Sequence, residues 1–201
     1  MNQSPYFGKD TKDWKKITES LVENHPLKNE LVDIVLQSWN SIFNSKIGEF
    51  YIGKEIFPEP QIMGFLLHEL VALYAGKRNG SFQKGRANAE KDIHCTTNED
   101  WGIEIKTSSD KSHIFANRSY AQPSSSQEKK EKDGYFLAIN FEKFESPDKR
   151  PEILLIRFGY LEHSDWIAQK AATGQQARLS PETYENKFVT LYQKESEKTA
   201  P

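Results

Sequence analysis

Apolar residues return at three- and four-residue steps in two early stretches of the chain. Residues 10–22 and 27–44 read as amphipathic helices, and in the second Leu31, Ile34, Val35, Trp39, Ile42 and Phe43 form the inward stripe. Pro58 and Pro60 then punctuate the chain, and residues 61–75 follow as a third helix. It is apolar almost all round, which predicts a buried core helix. The pattern breaks at Gly76, and residues 76–91, rich in Gly, Lys and Arg, read as a loop. Two short alternating runs, 91–97 and 101–109, predict strands joined by a turn at Asn98, Glu99 and Asp100. Residues 108–133 are polar and read as a long loop. The runs 134–142 and 152–162 suit strands covered on both faces. A helix at 164–172, a loop at 174–180, a strand at 187–192 and a flexible tail at 196–201 complete the pattern. The fold class is therefore α/β: one domain over 1–201, with a helical part at 1–57 and a core with long loops at 58–195.

Composition narrows the function classes. The 201 residues are 36% hydrophobic and 28% charged, which suits a soluble globular chain with polar loops. No run of eighteen or so apolar residues spans a membrane, and the N-terminus lacks the apolar core of a secretory signal. The single cysteine, Cys95, excludes an internal disulfide and a Cys-rich zinc site, so a reducing, cytoplasmic setting is expected. A net charge of −2 argues against a protein that coats DNA non-specifically. A DNA enzyme of this charge must gather its basic residues on one face.

Strand alternation gathers the chemistry. Ile103 and Ile105 share one face, and Glu104 and Lys106 share the other. In the preceding strand Ile93 and Cys95 face one side while Asp92 and His94 face the other. Paired as a hairpin, the two strands put four apolar residues on the core face. Asp92, Glu104 and Lys106 then flank a polar cleft. Two carboxylates this close repel unless a cation or proton intervenes. Mg²⁺ suits such oxygen ligands, because it keeps several waters and takes one or two protein carboxylates. It can polarise a phosphodiester and activate water, while a neighbouring lysine steadies the charge that builds up. The plain alternative is a surface hairpin carrying an exposed Glu-Lys pair.

Lys91-Asp92 followed by Glu104-Ile105-Lys106 resembles the motif of the PD-(D/E)xK nucleases, with Lys91 where that motif has proline. The resemblance implies a restriction-endonuclease-like core, a mixed β-sheet flanked by helices. It implies that Asp92, Glu104 and the carbonyl of Ile105 bind the metal while Lys106 assists the attacking water. Longer stretches, among them residues 85–93, 101–110, 116–122 and 163–184, resemble type II restriction endonucleases of the ScaI-like group, with the likeness running from about Glu69 to Tyr192. That likeness implies Mg²⁺-dependent cleavage of double-stranded DNA at a short palindrome, with Mn²⁺ able to substitute. It also implies a symmetric homodimer and a companion DNA methyltransferase that protects the host.

Further residues are drawn in around this centre. Glu69 lies on the helical stripe of Ile62, Leu66 and Leu73, and some PD-(D/E)xK enzymes carry an acid on this helix. Its plain alternative is a pair with a nearby arginine. Lys84, Arg86 and Asn88 lie in the basic loop leading to Asp92, and suit phosphate or base contacts. Ser108, Ser109, Lys111, Asn117, Arg118, Tyr120 and Gln122 follow the catalytic strand, and suit either DNA recognition or a polar surface loop. Gln175, Gln176 and Arg178 enter through the resemblance, and their side chains can make bidentate contacts to adenine and guanine. His94 is a candidate neighbour of Asp92, whereas Cys95 is expected in the core. His68, His113 and His163 show no zinc-site spacing. Two rival functions remain at this level: a repair or junction-resolving nuclease on the same core, and a DNA-binding module without catalysis.

Overall fold

The computed structural model describes residues 4–86, 90–122, 132–171 and 173–195. Asn88, most of the charged run at 128–132 and the tail at 196–201 lie outside the described residues.

Helix α1 (Thr11–Glu23) buries Thr18 and Val22, four residues apart on one face. In α2 (Leu31–Phe43) the buried set is Leu31, Ile34, Val35, Ser38, Trp39 and Ile42, close to the stripe read from its periodicity. A two-residue hairpin, β1 (Lys46–Ile47) and β2 (Phe50–Tyr51), leads towards α3 (Pro60–Arg78). Pro60 opens α3 at a position where a missing N–H costs no helical hydrogen bond.

Helix α3 departs from expectation. Only the side carrying Met63, Gly64, Leu67, Val71, Ala72 and Ala75 is buried. Ile62, Phe65 and Leu73 are 52%, 60% and 50% exposed. The small residues explain the choice of side, because they let the helix axis approach the sheet. A Cβ on Gly64 would stand 2.7 Å from Thr107 Oγ1. A single sheet covers only one side of a helix, so the far side is left facing outward.

After α3 the chain runs through β3 (Phe82–Lys84), β4 (Ile93–Cys95), β5 (Ile103–Ser108), β6 (Phe115–Asn117), β7 (Gly134–Phe141), β8 (Ile153–Leu161), β9 (Trp166–Ala168), β10 (Gln176–Leu179), α4 (Pro181–Asn186) and β11 (Phe188–Gln193). Six strands form a mixed sheet in the order β11-β8-β7-β5-β4-β3. Only β5 and β7 are parallel, and all other neighbours are antiparallel. A smaller sheet has the order β6-β10-β9.

Several expected loops thus carry strands. The basic segment 76–91 contains β3, which pairs with β4. The polar stretch after residue 108 contains β6 and a 3₁₀ turn at Arg118–Ala121. The helix expected at 164–172 is instead a 3₁₀ turn at His163–Asp165 followed by β9, and the loop expected at 174–180 contains β10. Antiparallel pairing of β9 with β10 satisfies this backbone, and tertiary contact outweighs the helix propensity of the local sequence.

The two faces of the large sheet bury different partners. One packs Ile93, Cys95, Ile103, Ile105, Leu137, Ile139 and Phe158 against α2 and α3. The other packs Phe136, Ala138 and Phe188 against Ala116, Ala177, Leu179 and Trp166 of the small sheet. Early and late segments clasp each other at the β11 edge. Lys187, 1% exposed, reaches Glu162 at 2.7 Å and Asp165 at 2.8 Å, and lies under the rings of Tyr6 and Trp14 at 4.2 and 4.4 Å. Thr18 donates to the carbonyl of Asn186 at 2.8 Å. Among the described residues no helix is long and apolar enough to cross a membrane.

Candidate active site

Strand β5 sets the site by alternation. Ile103 and Ile105 enter the helix-side core, so Glu104 and Lys106 project to the opposite face, between the large and small sheets. Strands β4 and β5 share a single register pair, Ile93 with Ile103, and separate beyond it. The expected hairpin is therefore much looser than full pairing would make it. Asp92 occupies the opening: its Oδ2 accepts the Ile105 N–H at 2.7 Å. In an extended strand the N–H and C=O of one residue point to the same side, so the Ile105 carbonyl is aimed into this gap as well.

Glu104 is 2% exposed and central to a compact cluster. Lys106 Nζ donates to its Oε1 at 2.6 Å, and the Tyr120 hydroxyl donates to the same oxygen. Lys106 Nζ also lies 3.2 Å from the Tyr120 hydroxyl and 4.5 Å from the centre of its ring. Burial, then the charge of Glu104 and the hydrogen bond to it, and finally the charge of Asp92, hold the Tyr120 phenol well above its ordinary range. Tyr120 thus stays protonated and acts as a donor to the carboxylate. Tyr120, expected among DNA contacts, is brought by the 3₁₀ turn after β6 to the Glu104–Lys106 pair.

Helix α3 supplies a second tier. His68 Nε2 lies 3.2 Å from Asp92 Oδ2, and His68 Nδ1 lies 3.8 Å from Glu69 Oε1. Glu69 pairs with Lys84 of β3. The histidine at Asp92 is therefore His68, which zinc-type spacing gave no reason to select. His94, the expected neighbour, stands in β4 in register with Gln83. Glu69 is linked to Asp92 through His68, and Lys84 is engaged with Glu69. Cys95 is buried in the core, as its alternation implied.

The remaining candidates divide by position. Asn117, Tyr120 and Gln176 line one cavity together with Glu104, Lys106 and Phe115. Arg178 is exposed on β10, two residues from Gln176. Arg118 has a different duty: its guanidinium donates to the carbonyls of Ala171 and Gly174 at 3.1 and 3.2 Å, and its backbone N–H to the carbonyl of Gln175. Gln122 offers its carbonyl to Lys132. The backbone N–H of Arg86 donates to Glu90 at 2.7 Å, and the residue is exposed. The Ser108 side chain caps Asp110, while Ser109 and Lys111 line a separate cavity with Glu142 and Gln193.

Among the described residues no three or more His, Cys, Asp or Glu side chains form a group that could hold a metal ion. The donor chemistry nonetheless fits a hard divalent cation of the Mg²⁺ type. Two carboxylates and a strand carbonyl suffice for an ion that keeps most of its waters.

The sequence profile of the ScaI restriction endonuclease family matches residues 4–192. The chain belongs to that family. The match takes in both N-terminal helices, well beyond the stretch from Glu69 in which the likeness was legible. A curated relative, the type II restriction enzyme ScaI of Streptomyces caespitosus, is 46% identical over 181 residues, which cover 89% of this chain and 80% of the relative. No solved structure matches significantly. Members of the ScaI restriction endonuclease family are endonucleases of restriction systems, and the Asp92, Glu104 and Lys106 cluster lies within the matched span.

Proposed function

We propose that this ScaI-family protein hydrolyses both strands of double-stranded DNA at a short palindromic sequence, with Mg²⁺ as cofactor and Mn²⁺ as a substitute. The observation that carries the reading is that Asp92 accepts the Ile105 N–H between Glu104 and Lys106, while Glu104 and Lys106 open onto a cavity that Asn117, Tyr120 and Gln176 also line. Asp92, Glu104 and the Ile105 carbonyl are the groups that would hold the metal. When bound, the ion supplies charge neutralisation on the phosphate and a more acidic water.

The chain's own residues do the rest. Lys106 orients the attacking water and offsets the negative charge developing on the phosphate. Tyr120 donates to Glu104 and orients its carboxylate. His68 fixes the rotamer of Asp92. Glu69, through Lys84 and His68, keeps that pair in place. Arg86, Asn88, Ser108, Ser109 and Lys111 are assigned to DNA contacts, and Arg118, Gln122 and Gln175 to holding the recognition segments. A two-fold homodimer would match the symmetry of a palindrome, and a separate methyltransferase would protect the same sequence in the cytoplasm.

The test is plasmid DNA incubated with the protein and Mg²⁺, Mn²⁺ or EDTA. Discrete fragments with either metal and none with EDTA are expected. Lys106→Ala should cut at least about a hundredfold more slowly while its circular dichroism at the assay temperature still shows a folded protein. Cleavage confined to nicked duplexes or four-way junctions would replace this reading with a structure-specific nuclease. A fully active Lys106→Ala protein would remove Lys106 from the chemistry.

A further inference from the structure

Among the described residues, the small sheet turns one face inward and leaves the other exposed. Ala116, Ala177, Leu179 and Trp166 point into the core. On the outward face, register places Phe115, Arg178 and Ile167 in one row across the three strands, since Arg178 pairs with both others. Asn117 and Gln176 pair in the next row. Phe115 is 40% exposed and Ile167 47% exposed, although each could have been polar at no cost to the core. The three strands, Phe115–Asn117, Trp166–Ala168 and Gln176–Leu179, contain no acidic residue. The face is also continuous with the catalytic cavity, because Phe115, Asn117 and Gln176 line that cavity alongside Glu104 and Lys106.

These features select one kind of occupant. An acid-free face with a central guanidinium suits a polyanion rather than an average protein surface. Its position at the mouth of the catalytic cavity makes that polyanion the DNA being cut. Arginine matches the O6 and N7 acceptors of guanine, and a glutamine or asparagine amide matches the N6 and N7 pattern of adenine. An exposed aromatic or branched aliphatic side chain matches the methyl group of thymine, which water cannot solvate well. The major groove is wide enough to admit a β-ribbon.

We infer that the outward face of the β6-β10-β9 sheet is the base-reading surface, with Arg178 and Gln176 as polar readers and Phe115 and Ile167 as contacts to thymine methyl groups. The inference rests on the nuclease reading and adds the element that sets its sequence preference. Arg118, whose guanidinium donates to the Ala171 and Gly174 carbonyls, braces the end of this sheet.

The experiment begins with wild-type protein, whose cut sequence is read from its plasmid fragments. Duplexes carrying every single base-pair change in that sequence are then compared for Arg178→Lys, Gln176→Ala, Phe115→Ala and Ile167→Ala. Each polar variant should lose about tenfold or more of its discrimination at one base-pair position and keep it elsewhere. Duplexes with uracil in place of thymine remove only the methyl group. They should slow the wild type severalfold at one or more positions and leave Phe115→Ala or Ile167→Ala indifferent there. All four side chains are exposed, so an unchanged thermal midpoint checks the fold of each variant. If the wild type cuts one sequence and all four variants keep its full discrimination, the assignment of this face is overturned. If the wild type cuts no DNA, the nuclease reading itself has failed.

Discussion

Glu104 and Lys106 owe their meeting to strand alternation alone, which is why their pairing was legible before any fold was known. Asp92 was expected there by the same rule, but it stands just before β4 and reaches β5 through the Ile105 N–H rather than by strand pairing. His68 and Tyr120 were not legible. Helix α3 is apolar on nearly every side, so periodicity could not say which turn would face Asp92. Tyr120 arrives from a 3₁₀ turn whose position depends on β6 pairing with β10, some sixty residues later in the chain. His25 shows a residue-scale property of a different kind. It is 3% exposed, its ring 4.6 Å from that of Tyr135 and 4.9 Å from that of Phe158, and it accepts the Leu27 N–H. Burial lowers its pKa from 6.5 to about 4, against the opposing effect of the Trp101 carbonyl. Between these values the unfolded chain binds a proton that the folded chain does not. The stabilisation is therefore complete above pH 6.5 and is lost as pH falls towards 4, by roughly 3 kcal/mol in all. His25→Gln should be less stable at neutral pH yet show a flatter loss between pH 7 and 5. Urea midpoints at pH 7, 6 and 5 measure this, and parallel curves for the two proteins would refute it.

At the scale of elements, α2 was readable from its helical period, and α3, β7 and β8 from apolar runs long enough to mark them as elements. The small sheet was not, because its strands are three or four residues long and offer only one or two inward side chains each. Ala168 also favours helix locally, and its pairing with Ala177 of β10 overrides that preference. The β8–β11 pair shows how closely two elements can approach. Gly159 lies opposite Phe188, and a Cβ there would stand 1.9 Å from the Lys187 carbonyl oxygen. Gly159→Ala must push β11 away or kink it, since backbone cannot rotate aside as a side chain does. A loss of about 2–3 kcal/mol is expected, which corresponds to a fall of roughly 5–10 °C in the thermal midpoint. An unchanged midpoint in a calorimetric scan would show that the edge strand yields freely.

At the scale of the whole molecule, the clasp around Lys187 joins residues 6, 14 and 18 to residues 162, 165, 186 and 187. Burying Asp165 raises its pKa even with Lys187 alongside, so this ion pair is held in place by its surroundings rather than by its own attraction. Deleting residues 181–195 removes α4, β11 and the buried lysine together. The truncated chain should lose its cooperative thermal transition altogether, because a domain's net stability is only about 5–15 kcal/mol. A sharp transition in the truncated chain would mean that the clasp is an ornament to an already stable body. The clasp bears on how such a protein is made. A nascent chain holds Asp92, Glu104 and Lys106 as soon as residue 106 leaves the ribosome. The strand that flanks β5, the tyrosine that steadies Glu104 and the lysine that anchors the first helix all follow later. Translation thus delivers the groups proposed for cleavage early and the scaffold that holds them last, so a chain interrupted after residue 106 carries Glu104 and Lys106 without the β7 partner and the Tyr120 hydroxyl that fix them in place.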